Sequence, residues 1–269
     1  MTDTALRIAI LGGGVMGETL AAGFLARLDP TPSVTVAEKR PERAAELADR
    51  LGVRIAPMSD AVSDADVVVL AVKPQDFRGM LAELAPSLRA GALVISIAAG
   101  IPTPVMEELL PGAAVVRVMP NTPARINRGV AGLSAGTACT PADLDLAARL
   151  MASVGVVVRV PEVLQDAVTA VSGSGPAYVF YLAEAMIAAG VEMGLSASDA
   201  RLMAVNTIVG AGELMAAGDE DPAVLRANVT SPNGTTAAAI ASMDESGIRD
   251  AVIAAMIAAR DRSIELSSS

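Results

Sequence analysis

The sequence predicts an α/β chain in two parts, a sheet-and-helix domain over residues 1–161 and an all-helical domain over residues 162–269. Three observations carry this. Short β-branched runs alternate with longer Ala-, Leu-, Glu- and Arg-rich stretches up to about Val160, the pattern of a parallel sheet covered by helices. After Pro161 those runs stop and Ala-rich segments recur at helical period. A glycine-rich turn follows the first run directly.

The expected strands fall at 8–11, 34–37, 67–72, 93–97, 115–119 and 156–160, separated by polar or Gly- and Pro-bearing breaks. The expected helices of the second part fall at 162–171, 176–193, 197–217, 235–244 and 248–265. Between residues 177 and 218 the only charges are Glu184, Glu192, Asp199, Arg201 and Glu213, so two helices are apolar on nearly every face. One small domain cannot cover them, and self-association through the helical half is expected; a helix hairpin buried within one chain is the other reading.

Composition narrows the function. With 52% apolar and 19% charged residues in 269, the chain folds instead of staying disordered. A net charge of -10 repels phosphate backbones and anionic membranes, so neither nucleic acid nor a membrane is an expected partner. Histidine is absent and Cys139 is the single cysteine, which argues against a transition-metal centre and an intrachain disulfide. No basic leader precedes an apolar stretch and no apolar run reaches the ~18 residues of a spanning helix, so a cytoplasmic location is expected.

The first run leads into Gly12-Gly13-Gly14-Val15-Met16-Gly17 and then a helical pattern, the strand–loop–helix context in which G-x-G-x-x-G binds a dinucleotide. Gly12 permits the tight turn, Gly14 lets the backbone approach a pyrophosphate, and Gly17 lets the helix pack on the sheet. A ligand-free glycine turn is the plainer alternative. At the end of the second run stand Glu38, Lys39 and Arg40. An acid there suits the ribose 2'-hydroxyl of NAD, whereas the basic pair suits the 2'-phosphate of NADP. NADPH is the expected cofactor and NADH the alternative. Ala71-Val72-Lys73-Pro74 and Arg117-Val118-Met119-Pro120-Asn121-Thr122-Pro123 close later strands, where the carboxyl edge of a parallel sheet lines the ligand crevice. Asn121 and Thr122 are expected to face it.

Many dehydrogenases move a proton with His, and others use a Lys of the second domain. This chain has no histidine and only two lysines, Lys39 and Lys73. A hydride acceptor that already carries its proton, such as an iminium, needs only electrostatic and hydrogen-bonding support, which points to reduction of C=N. Two loop-to-helix junctions could build its pocket. In Ser172-Gly173-Ser174-Gly175-Pro176-Ala177-Tyr178, Ser174 is expected to cap a helix that Pro176 opens. Thr230-Ser231-Pro232-Asn233-Gly234-Thr235-Thr236 precedes another helix, whose N-terminal N–H groups suit a carboxylate.

With Ala98-Ala99-Gly100, Ser153-Val154-Gly155, Asp166-Ala167-Val168-Thr169 and Val229, these segments make the chain resemble the pyrroline-5-carboxylate reductase family along nearly its full length. The resemblance implies a Rossmann domain followed by an all-α dimerisation domain, and NAD(P)H-dependent reduction of a cyclic imine carboxylate to L-proline. By motif it implies cofactor contacts at Gly12, Gly14, Val15, Met16, Gly17, Glu38, Lys39, Arg40, Ala71, Val72, Lys73, Pro74, Ala98, Gly100 and Asn121. It implies substrate contacts at Ser174, Gly175, Asn228, Ser231, Gly234, Thr235 and Thr236, with Ser231 and Thr236 as the catalytic pair: Ser231 and the backbone amides up to Thr236 hold the carboxylate, the Thr236 hydroxyl bonds the ring nitrogen, and a partner chain completes the pocket. Asn233 departs from the Gly-Gly that the family's loop commonly carries, though Asn tolerates left-handed backbone. A hydroxyacid dehydrogenase of similar build would need a helical lysine that this chain lacks, and a non-catalytic nicotinamide sensor would bind cofactor without turnover.

Overall fold

A computed structural model describes residues 5–72 and 77–267. They pack as two compact units, one running to Gly173 and taking back the chain from Ala259 onward, the other from Ser174 to Ala258.

The first unit is built on an eight-stranded sheet. Its strands are β1 (Arg7–Leu11), β2 (Ser33–Ala37), β3 (Arg54–Ile55), β4 (Val67–Leu70), β5 (Leu93–Ser96), β6 (Ala114–Met119), β7 (Gly129–Ala135) and β8 (Gly155–Arg159), in the order β3-β2-β1-β4-β5-β6-β7-β8. The order reverses at β1, which creates the crevice at the carboxyl ends of β1 and β4. Helices α1 (Val15–Arg27), α2 (Pro41–Leu51), α3 (Met58–Ser63), α4 (Phe77–Leu84), α5 (Thr103–Leu109) and α6 (Pro141–Ala152) cover it. Successive residues of β1 bury on opposite faces. Ile8 and Ile10 join the core around Phe24, while Ala9 and Leu11 join the core around Phe77. A strand buried on both faces has no polar alternation, which is why these runs read as continuous apolar stretches.

The sheet departs from the all-parallel expectation at one edge. β7 pairs antiparallel with β6, and β8 follows β7 in parallel, so the closing strand predicted at 156–160 runs against the main set. Gly129-Val-Ala-Gly-Leu-Ser-Ala carries too few β-branched residues to announce a strand; the ladders to β6 and β8 hold it, with Gly132 close against Val168. β3, only two residues long, also escapes the pattern.

The units part at Gly173, later than the change of period, because the intervening stretch is pinned to the sheet. Ser96, Arg117 and Ser134 are register neighbours across β5, β6 and β7 and are buried. Glu162 meets this row: it accepts from Arg117 Nη1 at 3.3 Å, from the Thr103 N–H at 2.6 Å and from the Thr103 hydroxyl. Gln165, fully buried, donates to Ser134 Oγ at 2.8 Å and to the Gly132 carbonyl at 3.2 Å. α7 (Gln165–Val168) therefore lies on the first unit.

The second unit holds α8 (Gly175–Glu192), α9 (Ala197–Ala216), α10 (Pro222–Asn228), α11 (Thr235–Glu245) and the first part of α12 (Ile248–Ser267). α8 and α9 pack closely where a Cβ on Gly190 would stand 2.9 Å from Cβ of Ala200. Ser196 caps α9 through the Asp199 N–H, and Asp221 caps α10 through the Ala223 N–H. Ser174 does not cap α8 as expected. A π-helical turn over Thr169–Gly173 delivers the chain in helical geometry, leaving Ser174 at φ -84°, ψ -16° instead of the extended conformation a cap requires. Within this unit Phe180 is 61% and Tyr181 76% exposed, with Leu202, Met203 and Leu214 also open.

Substituting Glu162→Ala leaves the buried Arg117 guanidinium without its carboxylate and should cost about 2–4 kcal/mol of stability, Glu162 being partly open to water. The check is the urea midpoint of the variant; a loss below about 0.5 kcal/mol would contradict the role given to this pair.

Candidate functional site

Strand β1 ends in backbone that only glycine can supply. Gly12 has φ +105°, its N–H donates to the Ala37 carbonyl at 2.9 Å, and a Cβ there would strike the Ala71 carbonyl at the end of β4. A Cβ on Gly17 would in turn overlap the Gly12 carbonyl. Gly14 is different: nothing lies within 4 Å of where its Cβ would be, and it stands at the cap position of α1 with no side chain closing the helix N-terminus. Two glycines thus bring strand, loop and helix together, and the third leaves an open cradle before N–H groups of a 13-residue helix. That is the arrangement a pyrophosphate requires.

The cradle opens into a crevice of about 720 Å³ lined by Gly12, Gly14, Glu38, Lys39, Arg40, Ala71 and Val72 among the expected cofactor residues, with Met58, Met80 and Glu83 added from α3 and α4. Val15 is exposed at the start of α1 and Met16 half-buried behind it. Ala98 is buried just beyond β5, and Gly100, at φ +74°, lies under the end of α12: its Cβ would come 3.5 Å from the Leu266 carbonyl. Lys73 and Pro74 lie outside the described residues. A second hollow, of about 630 Å³, is lined by Leu6, Arg27, Leu28 and Arg149. It sits where β1 begins and α1 ends, the wrong edge of the sheet for a dinucleotide.

Asn121 corrects an expectation. It is 7% exposed and its amide is committed within the protein, donating to the Ser172 carbonyl at 3.0 Å and accepting from the Val130 N–H at 2.8 Å. Its side chain ties the end of β6 to β7 and to the π-turn instead of facing the crevice.

Glu38 is the most constrained side chain of the crevice. Its Oε2 accepts from the Gly13 N–H at 2.9 Å, and Oε1 accepts from the Arg40 N–H and Nε, both at 3.0 Å. The Arg40 guanidinium, then the N–H groups of Arg40 and Gly13, hold this carboxyl down at about 2 against the upward push of burial. Arg43 was not singled out by sequence. It donates to the Gly13 carbonyl at 2.8 Å and pairs with Glu18 and with Glu46. The signal was its place in the first turn of the helix after Glu38, beside the loop.

In the second unit the turn between α10 and α11 gathers the expected substrate residues. Asn228 ends α10 and is exposed. The Gly234 N–H donates to the Ser231 carbonyl at 3.0 Å, and a Cβ on Gly234 would strike Ser231 Oγ. Asn233 takes φ +59°, the left-handed conformation that Asn admits in place of glycine. Gly234 stands at the cap of α11 in extended backbone with no side-chain cap, followed by Thr235, exposed, and Thr236, half-buried. The first N–H groups of an 11-residue helix are therefore presented bare beside two threonine hydroxyls and Ser231. Ser174 and Gly175 stand elsewhere in the unit, at the start of α8. Among the described residues no group of three or more His, Cys, Asp or Glu could hold a metal ion, and no helix is long and apolar enough to cross a membrane.

Known proteins match both parts. A family model described as pyrroline-5-carboxylate reductase dimerisation covers residues 162–266, and one described as NADP oxidoreductase, coenzyme F420-dependent, covers residues 7–100. The chain is 42% identical to a pyrroline-5-carboxylate reductase of Pseudomonas aeruginosa over 97% of both chains. It is also 42% identical to one of Mycobacterium tuberculosis, over 97% of this chain and 96% of the relative. Among solved structures it is similar to a pyrroline-5-carboxylate reductase from Coxiella burnetii, at a TM-score of 0.93 and 34% identity over 99% of this chain and 100% of that one. The Plasmodium falciparum pyrroline carboxylate reductase with NADP bound aligns at a TM-score of 0.84 and 26% identity, over 97% and 98%. With relatives this similar from end to end, the chain belongs to the pyrroline-5-carboxylate reductase family.

Proposed function

We propose that the turn at residues 231–236 grips the carboxylate of a cyclic imine while the Thr236 hydroxyl holds the ring nitrogen, and that Gly12, Gly14 and Gly17 seat the dinucleotide. The chain is an NAD(P)H-dependent oxidoreductase of the C=N bond, reducing 1-pyrroline-5-carboxylate to L-proline. The observation that carries the site is the bare N-terminus of α11, flanked by Ser231, Thr235 and Thr236.

When bound, the reduced nicotinamide supplies a hydride. The chain's own residues position and stabilise. N–H groups of the first turn of α11 and the Ser231 hydroxyl donate to the substrate carboxylate, where the helix end favours negative charge. Thr236 Oγ can accept from a protonated ring nitrogen and donate to a neutral one, so one hydroxyl serves both imine and amine. With no histidine in the chain, the reaction is fitted to an acceptor that arrives with its proton.

Self-association follows from the dimerisation region over 162–266. Its finer form is a homodimer through the apolar faces of α8 and α9, with the partner chain completing the substrate pocket; this fits a region in which Phe180, Tyr181 and Leu202 are open. We take the dimerisation domain to run over residues 162–269, of which 162–173 and 259 onward pack within the first unit, and place the enzyme in the cytoplasm.

The primary test follows oxidation of NADPH and of NADH with pyrroline-5-carboxylate, with other cyclic imines as controls; no turnover with either cofactor would sink the assignment. Thr236→Ala should lower kcat about tenfold or more, the effect of one hydrogen bond made at the reacting ring, and leave cofactor affinity in place. Equal loss of both would remove Thr236 from the ring. Light scattering at micromolar concentration should show a dimer or larger species, and a monomer would contradict the covered-face reading.

A further inference from the structure

We propose that Glu38 makes this chain prefer NADH to NADPH, by holding a carboxylate where the adenosine ribose carries its 2'-hydroxyl. The inference rests on the cofactor reading above and adds to it a selecting residue.

The position follows from topology. Glu38 comes directly after β2, the strand beside β1, and lines the same crevice as Gly12 and Gly14. An acid at that place accepts hydrogen bonds from a ribose hydroxyl and repels a phosphate. A lone acid at a strand end could swing away, but this one is braced. Its side chain is 8% exposed, it takes the Gly13 N–H within the phosphate loop itself, and it takes three donors from Arg40. Gly13 lies close against both partners of this contact: a Cβ there would strike Leu47 and press on Glu38 Oε2.

The neighbouring arginines do not offset this. Arg40, which in sequence looks like a phosphate ligand, has its Nε and Nη2 on Glu38 at 3.0 and 3.2 Å. Arg43 is held by Glu18, Glu46 and the Gly13 carbonyl, and Arg50 by Glu18 and Glu46. A 2'-phosphate would either pull Arg40 off Glu38 and leave a buried carboxylate without its cation, or use the remaining guanidinium donors of Arg40 with the Glu38 carboxylate alongside it. A ribose hydroxyl has only to share an oxygen that these donors already use, and it leaves the ion pair in place. Lys39 lines the crevice too, and its pull on a phosphate is what the experiment weighs against Glu38.

Calorimetric titration of the intact protein with NADH, NADPH, AMP and adenosine 2',5'-bisphosphate reads the preference without turnover. NADH should bind at least tenfold more tightly than NADPH, and AMP more tightly than the bisphosphate. Glu38→Gln keeps an oxygen for the Gly13 N–H, removes the charge and frees Arg40; it should move the NADH to NADPH ratio at least tenfold toward NADPH. Glu38→Ser is the second variant, with the same direction expected. Tighter binding of NADPH by the unaltered protein overturns the proposal, as does an unchanged ratio in a variant that still binds NADH. Binding of none of the four overturns it together with the cofactor reading, whereas a preference for the 2'-phosphate overturns it alone.

Discussion

The first unit depends on one close approach of backbone to backbone. Gly12 meets the Ala71 carbonyl and Gly17 meets the Gly12 carbonyl, at separations where any side chain would overlap. That contact draws the start of α1 against the carboxyl ends of β1 and β4. It aims the helix N–H groups into the crevice, and it puts Gly13 within reach of Glu38 and Arg43. Were the contact relaxed by a methyl group, the loop would lift, and the crevice would lose its floor and its electrostatics together. Packing and function are the same constraint here, which is why the glycine spacing is so informative.

A second constraint is the polar row buried in the sheet. Buried charges usually add little net stability, but a half-satisfied one is costly, so they specify an arrangement more than they strengthen it. Arg117 has the Glu162 carboxylate as its partner, and Gln165 fits over Ser134 and Gly132. The pairs thereby dictate where the chain leaves the sheet. Ser263, on the last helix, adds a bond to Asp166 at 2.7 Å, so the same short stretch is tied down by the end of the chain as well.

How much of this is legible in sequence depends on which force shapes each part. The core strands are, because burial on both faces demands continuous β-branched runs such as Val67-Val-Val-Leu70. β7 is not, because its residues are chosen for close packing of neighbours against Gly129 and Gly132 and not for strand propensity. The glycine loop and the 231–236 turn are legible since each needs a backbone that few residues allow. The failures at Ser174 and Asn121 share a cause. Both are polar residues in the right place along the chain whose surroundings were set from far away, Ser174 by the π-turn before it and Asn121 by Val130 and Ser172. The reach of a side chain across tertiary contacts is what local pattern cannot supply.

Electrostatics sets a further constraint on both sites. A chain of net charge -10 must grip a substrate by its carboxylate and a dinucleotide by its pyrophosphate. Long-range steering works against both, so attraction has to come from local, fixed partial charges. The two candidate sites meet this in the same way: each ends a loop in a glycine at the cap of a helix, with no side chain closing the N–H groups. Arginines near the first site are neutralised by Glu38, Glu18 and Glu46 and serve to hold the loop instead of the ligand. Backbone dipoles do not titrate, and so an enzyme without histidine can keep both grips unchanged wherever the imine itself is protonated.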